Sequence, residues 1–103
     1  MTERELQLIL SKTILCNTEA QAVYSSVKAT KIEFRLQTLG AADPKATYVA
    51  IGNAESQEFK LTAVDNYYAT PEIIAGCQYI DPSKIFVRAD VVGKAVVEVT
   101  IWR

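Results

Sequence analysis

Thr30-Lys31-Ile32-Glu33-Phe34-Arg35-Leu36-Gln37 sets Thr30, Ile32, Phe34 and Leu36 on one side of an extended chain and Lys31, Glu33, Arg35 and Gln37 on the other. Side chains alternate across a strand, so this period of two marks a half-buried β-strand with its apolar face against a second layer. The same period recurs on both sides of it. Downstream, Leu39-Gly40-Ala41-Ala42-Asp43-Pro44 is a loop, and Thr47 to Ile51 is a strand closed by a turn at Gly52-Asn53. Glu58 to Ala63 alternates with Phe59, Leu61 and Ala63 inward, and Asp65-Asn66 breaks it. Residues 70–80 are mixed, with Pro71 at their start and Ile73, Ile74, Tyr79 and Ile80 as apolar surface. Asp81-Pro82-Ser83-Lys84 fits a type I turn, because proline's fixed φ suits the second position. Ile85 to Ala89 is a strand, Gly93 supplies a turn, and Ala95, Val97, Val99 and Ile101 then share a face opposite Val96, Glu98, Thr100 and Trp102.

Upstream, Ala22-Val23-Tyr24 and residues 12–16 read as short strands. Residues 1–11 read as an N-terminal arm running into the first strand. A short helix near 3–10 is the alternative, since Thr2 with Glu5 fits a capping box and Leu6, Ile9, Leu10 and Ile14 fall at helical spacing. The expected fold class is all-β: an antiparallel β-sandwich, jelly-roll-like, of about eight short strands spanning residues 12–103 as a single domain. No long helical period is present to supply the crossovers of a parallel sheet. Ile32, Phe34, Leu36, Phe59, Leu61, Ile85, Val87, Val97 and Val99 are expected to face inward.

The chain has 103 residues, half of them hydrophobic and 22% charged, which is enough to build one core and argues against disorder. Its net charge is −1. Residues 1–52 carry six basic and five acidic residues, and residues 53–103 five and seven, so neither part has the basic excess expected of a nucleic-acid or anionic-membrane binder. There is no histidine. That removes histidine acid–base catalysis, Ser-His-Asp triads and the commonest zinc ligand. Cys16 and Cys77 form no C-x-x-C and are expected as reduced, unpaired thiols. The N-terminus mixes Glu3 and Glu5 with Arg4, and Leu6 to Leu10 is too short for a secretory core or a membrane span. A product made in, and kept in, a reducing cytoplasm until some assembly event is the expectation.

Constellations that could carry chemistry are sparse. The possible acid pairs are Glu3/Glu5, Glu55/Glu58 and Asp65/Glu72, and the first two sit beside turns or the terminus, where a solvated face accounts for them. Asp65-Asn66 and Asp81 lack EF-hand spacing. No G-x-x-x-x-G-K follows Gly52-Asn53, and no serine lies in a nucleophile elbow. Catalytic, cofactor and metal residues are therefore expected to be none, and the protein is expected not to be an enzyme. Contact residues are the remaining candidates. Leu6, Leu8, Ile9 and Leu10 are costly to leave in water at a free terminus. Tyr67 and Tyr68 point to opposite sides of an extended chain, so one of them faces out. Trp102 lies on the polar side of the last strand. Tyrosine and tryptophan suit interfaces because each joins apolar area to a polar handle. A sugar-stacking site would need two such rings on one face.

Thr47-Tyr48-Val49-Ala50-Ile51-Gly52-Asn53-Ala54-Glu55-Ser56-Gln57-Glu58-Phe59-Lys60-Leu61, then Asp81-Pro82-Ser83-Lys84-Ile85-Phe86-Val87-Arg88-Ala89, and the closing strand Lys94 to Trp102 resemble small β-sandwich domains of tailed-bacteriophage virion proteins. These include capsid decoration proteins, head fibres and tail or spike modules. The resemblance covers about residues 30–102, with Ala63 to Tyr68 departing from it. It implies a non-enzymatic virion structural protein, most of all a capsid decoration or cement protein. Its implied partners are the major capsid protein or other virion subunits, with self-association in the particle. A tail or fibre component with a receptor-binding role is one alternative, and a carbohydrate-binding or adhesin-like module another.

Overall fold

The apolar faces read from the sequence meet as two four-stranded antiparallel sheets. The computed structural model describes residues 7–40, 45–57, 59–70 and 79–103. Within them lie eight strands: β1 (Leu8–Cys16), β2 (Gln21–Ala22), β3 (Lys31–Thr38), β4 (Val49–Gly52), β5 (Phe59–Leu61), β6 (Tyr67–Ala69), β7 (Phe86–Ala89) and β8 (Ala95–Trp102). One sheet has the order β1-β8-β3-β6 and the other β2-β7-β4-β5. That order is the eight-stranded jelly roll, two interleaved Greek keys wrapped into a sandwich.

The strand β8 is central. It pairs with β1 on one side and β3 on the other, so Ile14, Val97 and Leu36 align across the sheet, as do Leu10, Ile101 and Ile32. Ala95, Val97, Val99 and Ile101 are fully buried, and Val49, Leu61, Val87 and Ala89 meet them from the other sheet. Phe34 is the largest fully buried side chain. Of the expected core, Ile32, Phe34, Leu61, Val87, Val97 and Val99 are buried, while Leu36 and Ile85 pack against its margin.

Phe59 is the exception, 43% exposed. Its side is as the alternation predicts, pairing with Ile51 and turned toward Tyr68. But β5 and β6 are the edge strands of their sheets, and among the described residues no further strand closes over them. Phe59 therefore sits on the rim, its ring 4.2 Å from that of Tyr68, which in turn lies 6.1 Å from Phe34.

A second difference concerns the N-terminus. Residues 7–11 are not a separate arm, and 8–10 are not helical: β1 is one strand from Leu8 to Cys16. Gln7 and Arg103 exchange two backbone hydrogen bonds of 3.0 and 2.7 Å, extending the ladder by one pair. An irregularity between Leu8 and Leu10 shifts the register. Such a bulge inserts one residue and changes which side chains face in. It reconciles the two patterns in the sequence: Leu10, Ile14 and Cys16 lie opposite the inward residues of β8, and Leu8 and Leu15 are left 56% and 55% exposed. Leu6 lies outside the described residues.

The loops use local side-chain chemistry. The turn expected at Asp81–Lys84 is present, with the Lys84 amide donating to the Asp81 carbonyl at 3.0 Å, and it continues into a short 3-10 helix at Pro82–Lys84 that Asp81 caps, its Oδ1 accepting from the Ser83 amide at 3.0 Å and hydroxyl at 2.7 Å. Asn53 Oδ1 accepts from the amides of Glu55 and Ser56 at 2.9 and 2.8 Å, shaping the β4–β5 connection. Gly52 is required there, because a Cβ would lie 2.1 Å from the Ser56 carbonyl oxygen. The strand β6 has no signal in the sequence, because three residues are too few to show a period.

Cys16 is a free thiol at the end of β1, fully buried, and burial pushes its pKa up to about 11. It is protonated and inert at neutral pH. Cys77 lies outside the described residues.

Three outcomes are expected. Phe34→Ala should cost about 3–5 kcal/mol, while Phe59→Ala, half-exposed already, should cost about half as much or less. Equal losses in thermal or urea melts would place Phe59 in the core after all. Deleting residues 1–11 removes half the pairing of β1 and should abolish or strongly weaken the cooperative transition; a truncated chain melting like its parent would contradict the strand. Alkylation at pH 8 followed by peptide mapping should leave Cys16 unmodified in the folded protein and label it after denaturation.

Candidate functional site

Every inward side chain of the β1-β8-β3-β6 sheet leaves its strand neighbour on the outer face. The register sets these in rows. Leu8, Trp102 and Lys31 lie in one row; Ser11, Thr100, Glu33 and Ala69 in the next; Thr13, Glu98, Arg35 and Tyr67 in the third. Glu33 is at the centre, and both of its oxygens are used. Oε1 accepts from Trp102 Nε1 at 2.5 Å, and Oε2 accepts from the Tyr67 hydroxyl at 2.5 Å. Hydrogen bonds to an ionised acceptor are shorter and roughly twice as strong as neutral ones.

The electrostatics follow from this geometry. The Tyr67 hydrogen bond holds the Glu33 carboxyl below its ordinary range; partial burial opposes this, and Trp102, Lys31 and Arg35 add to it. The same bond pushes the Tyr67 phenol up, because its proton is shared with a carboxylate. The Arg35 guanidinium lies over the Tyr67 ring, 5.4 Å from its centroid, and 3.8 Å from the Glu98 carboxylate. That ion pair is solvent-exposed and contributes little by itself. Its consequence is positional: Arg35 covers one side of the phenol ring while Glu33 fixes its rim.

The candidate contact residues are thereby divided. Tyr67 and Trp102, on β6 and β8, are brought together through Glu33 on the intervening β3. Tyr68 faces the other way, into the aromatic stack with Phe34 and Phe59. Leu8 is beside Trp102 in the register, whereas Ile9 and Leu10 pack against the core. Glu33 and Arg35 were legible only as the polar side of their strand. Nothing in one strand's sequence says which residues of other strands will stand beside them.

Elsewhere, titratable groups serve the local fold. Hydrogen bonds from the Ser83 hydroxyl and amide hold the Asp81 carboxyl below its ordinary range. Partial burial pushes Asp90 up, but hydrogen bonds from the Thr47 hydroxyl and backbone outweigh it and leave that carboxyl low as well. Tyr48, on the outer face of the other sheet, lies 4.6 Å from Lys60 Nζ and 6.0 Å from the Arg88 guanidinium. An open hollow of about 310 Å³ at one end of the sandwich is lined by Leu36, Thr38, Leu39, Gly40, Lys45 and Asn66. Among the described residues, no group of three or more cysteine, aspartate or glutamate side chains is gathered as metal ligands would be.

No protein-family model matches this chain, and no curated protein is detectably similar to it.

The Glu33 site predicts a pH dependence. Its folded pKa lies below the unfolded one, so the stabilisation is complete above the ordinary carboxyl range and is lost as pH falls through the folded value. Tyr67 has the opposite sense: its contribution is complete below the ordinary phenol value and is lost as pH rises through the raised one. Melting temperatures followed from neutral to acid pH should fall less steeply for Glu33→Gln than for the parent. Tyr67→Phe should remove a late component from the alkaline phenolate absorbance titration. Profiles that overlay the parent in both experiments would show the network to be broken in solution.

Proposed function

We propose that this protein is a non-enzymatic structural component of a bacteriophage virion, of the capsid decoration or cement type, made in the host cytoplasm and assembled on a lattice of major capsid protein. The observation that carries this reading is the strand order. An eight-stranded jelly roll is a recurrent capsid architecture, and here it accompanies the sequence resemblance over residues 30–102. The support is analogy at the level of fold, joined by side-chain chemistry suited to binding. The carboxyls with clear shifts, Glu33, Asp81 and Asp90, are all held low, whereas a general acid needs a raised one. The Cys16 thiol is buried and protonated, the reverse of a nucleophile.

The docking element in this reading is β1. It is a nine-residue edge strand with Leu8 and Leu15 exposed toward its two ends. Long edge strands carry unpaired backbone groups and are liabilities unless another chain or element covers them. A neighbouring subunit that adds a strand there would gain backbone hydrogen bonds and bury both leucines. The aromatic outer face favours a second reading, a tail or fibre component with a receptor-binding role.

Location within purified particles separates the two. The protein should be recovered from phage capsids in a fixed ratio to the major capsid protein, and purified protein should rebind capsids lacking it. Leu15→Asp should weaken that rebinding about tenfold or more while leaving the melting temperature within a few degrees of the parent. Recovery with tails alone would favour the second reading, and absence from particles altogether would overturn both.

A further inference from the structure

We propose that the outer face of the β1-β8-β3-β6 sheet is a binding platform for a neutral, extended oligosaccharide, with Trp102 and Tyr67 as stacking rings and Glu33 as the group that holds them in place. The inference concerns the isolated chain and does not depend on where in a particle it sits.

The geometry supplies two rings on one face. Their polar edges are tied to the two oxygens of a single carboxylate by 2.5 Å hydrogen bonds, so the indole nitrogen and the phenol oxygen stand no more than about 7 Å apart. Tyr67 is 44% exposed, and Trp102 is partly exposed. Aromatic side chains have few rotatable bonds, and these are tethered as well, so a ligand that stacks on them need not offset much lost rotamer freedom.

The surroundings of the rings select the ligand. Lys31 and Arg35 are balanced by Glu33 and Glu98 across the same rows, so the face has no net charge to attract a polyanion. Nucleic acid and anionic glycans are disfavoured on that ground. A protein partner fits poorly too, because the centre of a protein interface is depleted of charge and this centre carries Glu33, Arg35 and Glu98. What the centre offers is a pattern of donors and acceptors. The hydroxyls of Thr100 and Ser11, 3.4 Å apart, lie one and two positions from Glu33 in its row. Each Glu33 oxygen retains a lone pair beyond the one it has committed, and Arg35 has further N–H groups. Apolar CH faces on the rings, with hydroxyls meeting a carboxylate and a guanidinium between them, is the chemistry of a sugar. The face is an open sheet surface rather than a cavity, so the ligand is a chain laid across it and held by several units.

The chain has one tryptophan, so the emission of Trp102 reports on the site directly. The 103-residue chain would be titrated with cellohexaose, maltohexaose and chitohexaose, and with a heparin-derived hexasaccharide as the anionic comparison. The expected result is a saturable change in emission with at least one neutral sugar and a weaker response, or none, to the anionic one. Glu33→Gln keeps the side-chain shape but cannot accept from both rings, and should weaken binding about tenfold. Tyr67→Ala, at an exposed position, should do the same by calorimetry with circular dichroism unchanged. Leu15→Ser, on the same face but away from the rings, should bind as the parent does. No saturable response to any of the three neutral sugars, preference for the anionic one, or equal binding by Tyr67→Ala would overturn the proposal. Capsid rebinding by the same preparation is read separately, so failure here leaves the docking role untouched.

Discussion

Burial of one side of β8 is the constraint on which the remainder of the molecule depends. Ala95, Val97, Val99 and Ile101 are wholly removed from water, and each stands between an inward residue of β1 and one of β3 or beside the sheet's margin. Fully burying a valine or isoleucine side chain is worth roughly 1.5–3 kcal/mol, so this strand and its immediate neighbours hold much of the margin by which a small domain stays folded. Because side chains alternate, committing those four residues inward also commits Val96, Glu98, Thr100 and Trp102 outward. The outer face is thus a consequence of the core. A register slip of one residue would expose the core residues and bury a carboxylate, which is why the register is well determined.

That linkage explains how an exposed polar surface becomes ordered. The β3 strand lies between β8 and β6, so Glu33 is placed within reach of side chains from both. Its carboxylate then ties Trp102 and Tyr67 to the same point, and Arg35 joins the phenol ring to Glu98. The other sheet carries a looser counterpart, where Lys60 and Arg88 flank the Tyr48 ring and Arg88 Nε donates to Gln57 Oε1 at 2.9 Å. The two outer faces differ in kind. One has rings held by a buffered set of charges, and the other has a ring covered by cations.

The edges of the sandwich are where local pattern and global structure diverge. The Phe59 and Tyr68 rings pack at a tilt between the edge strands β5 and β6, each shielding the other where no further strand lies among the described residues. On the opposite side, Leu10, Ile14 and Cys16 keep an inward period of two, and the bulge after Leu8 turns that leucine, which the same period would put inside, to the outer face beside Trp102. Both features manage exposure at an edge, and both need knowledge of which strands are edges.

Much of the fold was legible from alternation alone. Ile32, Phe34, Leu61, Val87, Val97 and Val99 announce their side by spacing, and that information is local because a strand's own neighbours set the direction of each side chain. The all-β class and the turns at Gly52-Asn53, Asp81-Pro82 and Gly93 are local for the same reason. The pairing of Trp102 with Tyr67 is of another kind. These residues are distant in the chain, and they meet only because the jelly roll places β8, β3 and β6 side by side and their registers set Glu33 between the two rings. Whether Phe59 would be covered, and whether residues 7–11 would stand free or join a sheet, depended likewise on what lay next to them. Which way a side chain points along its strand is a local property of the chain; what it meets is not, because neighbours across a sheet are chosen by the packing of the whole chain.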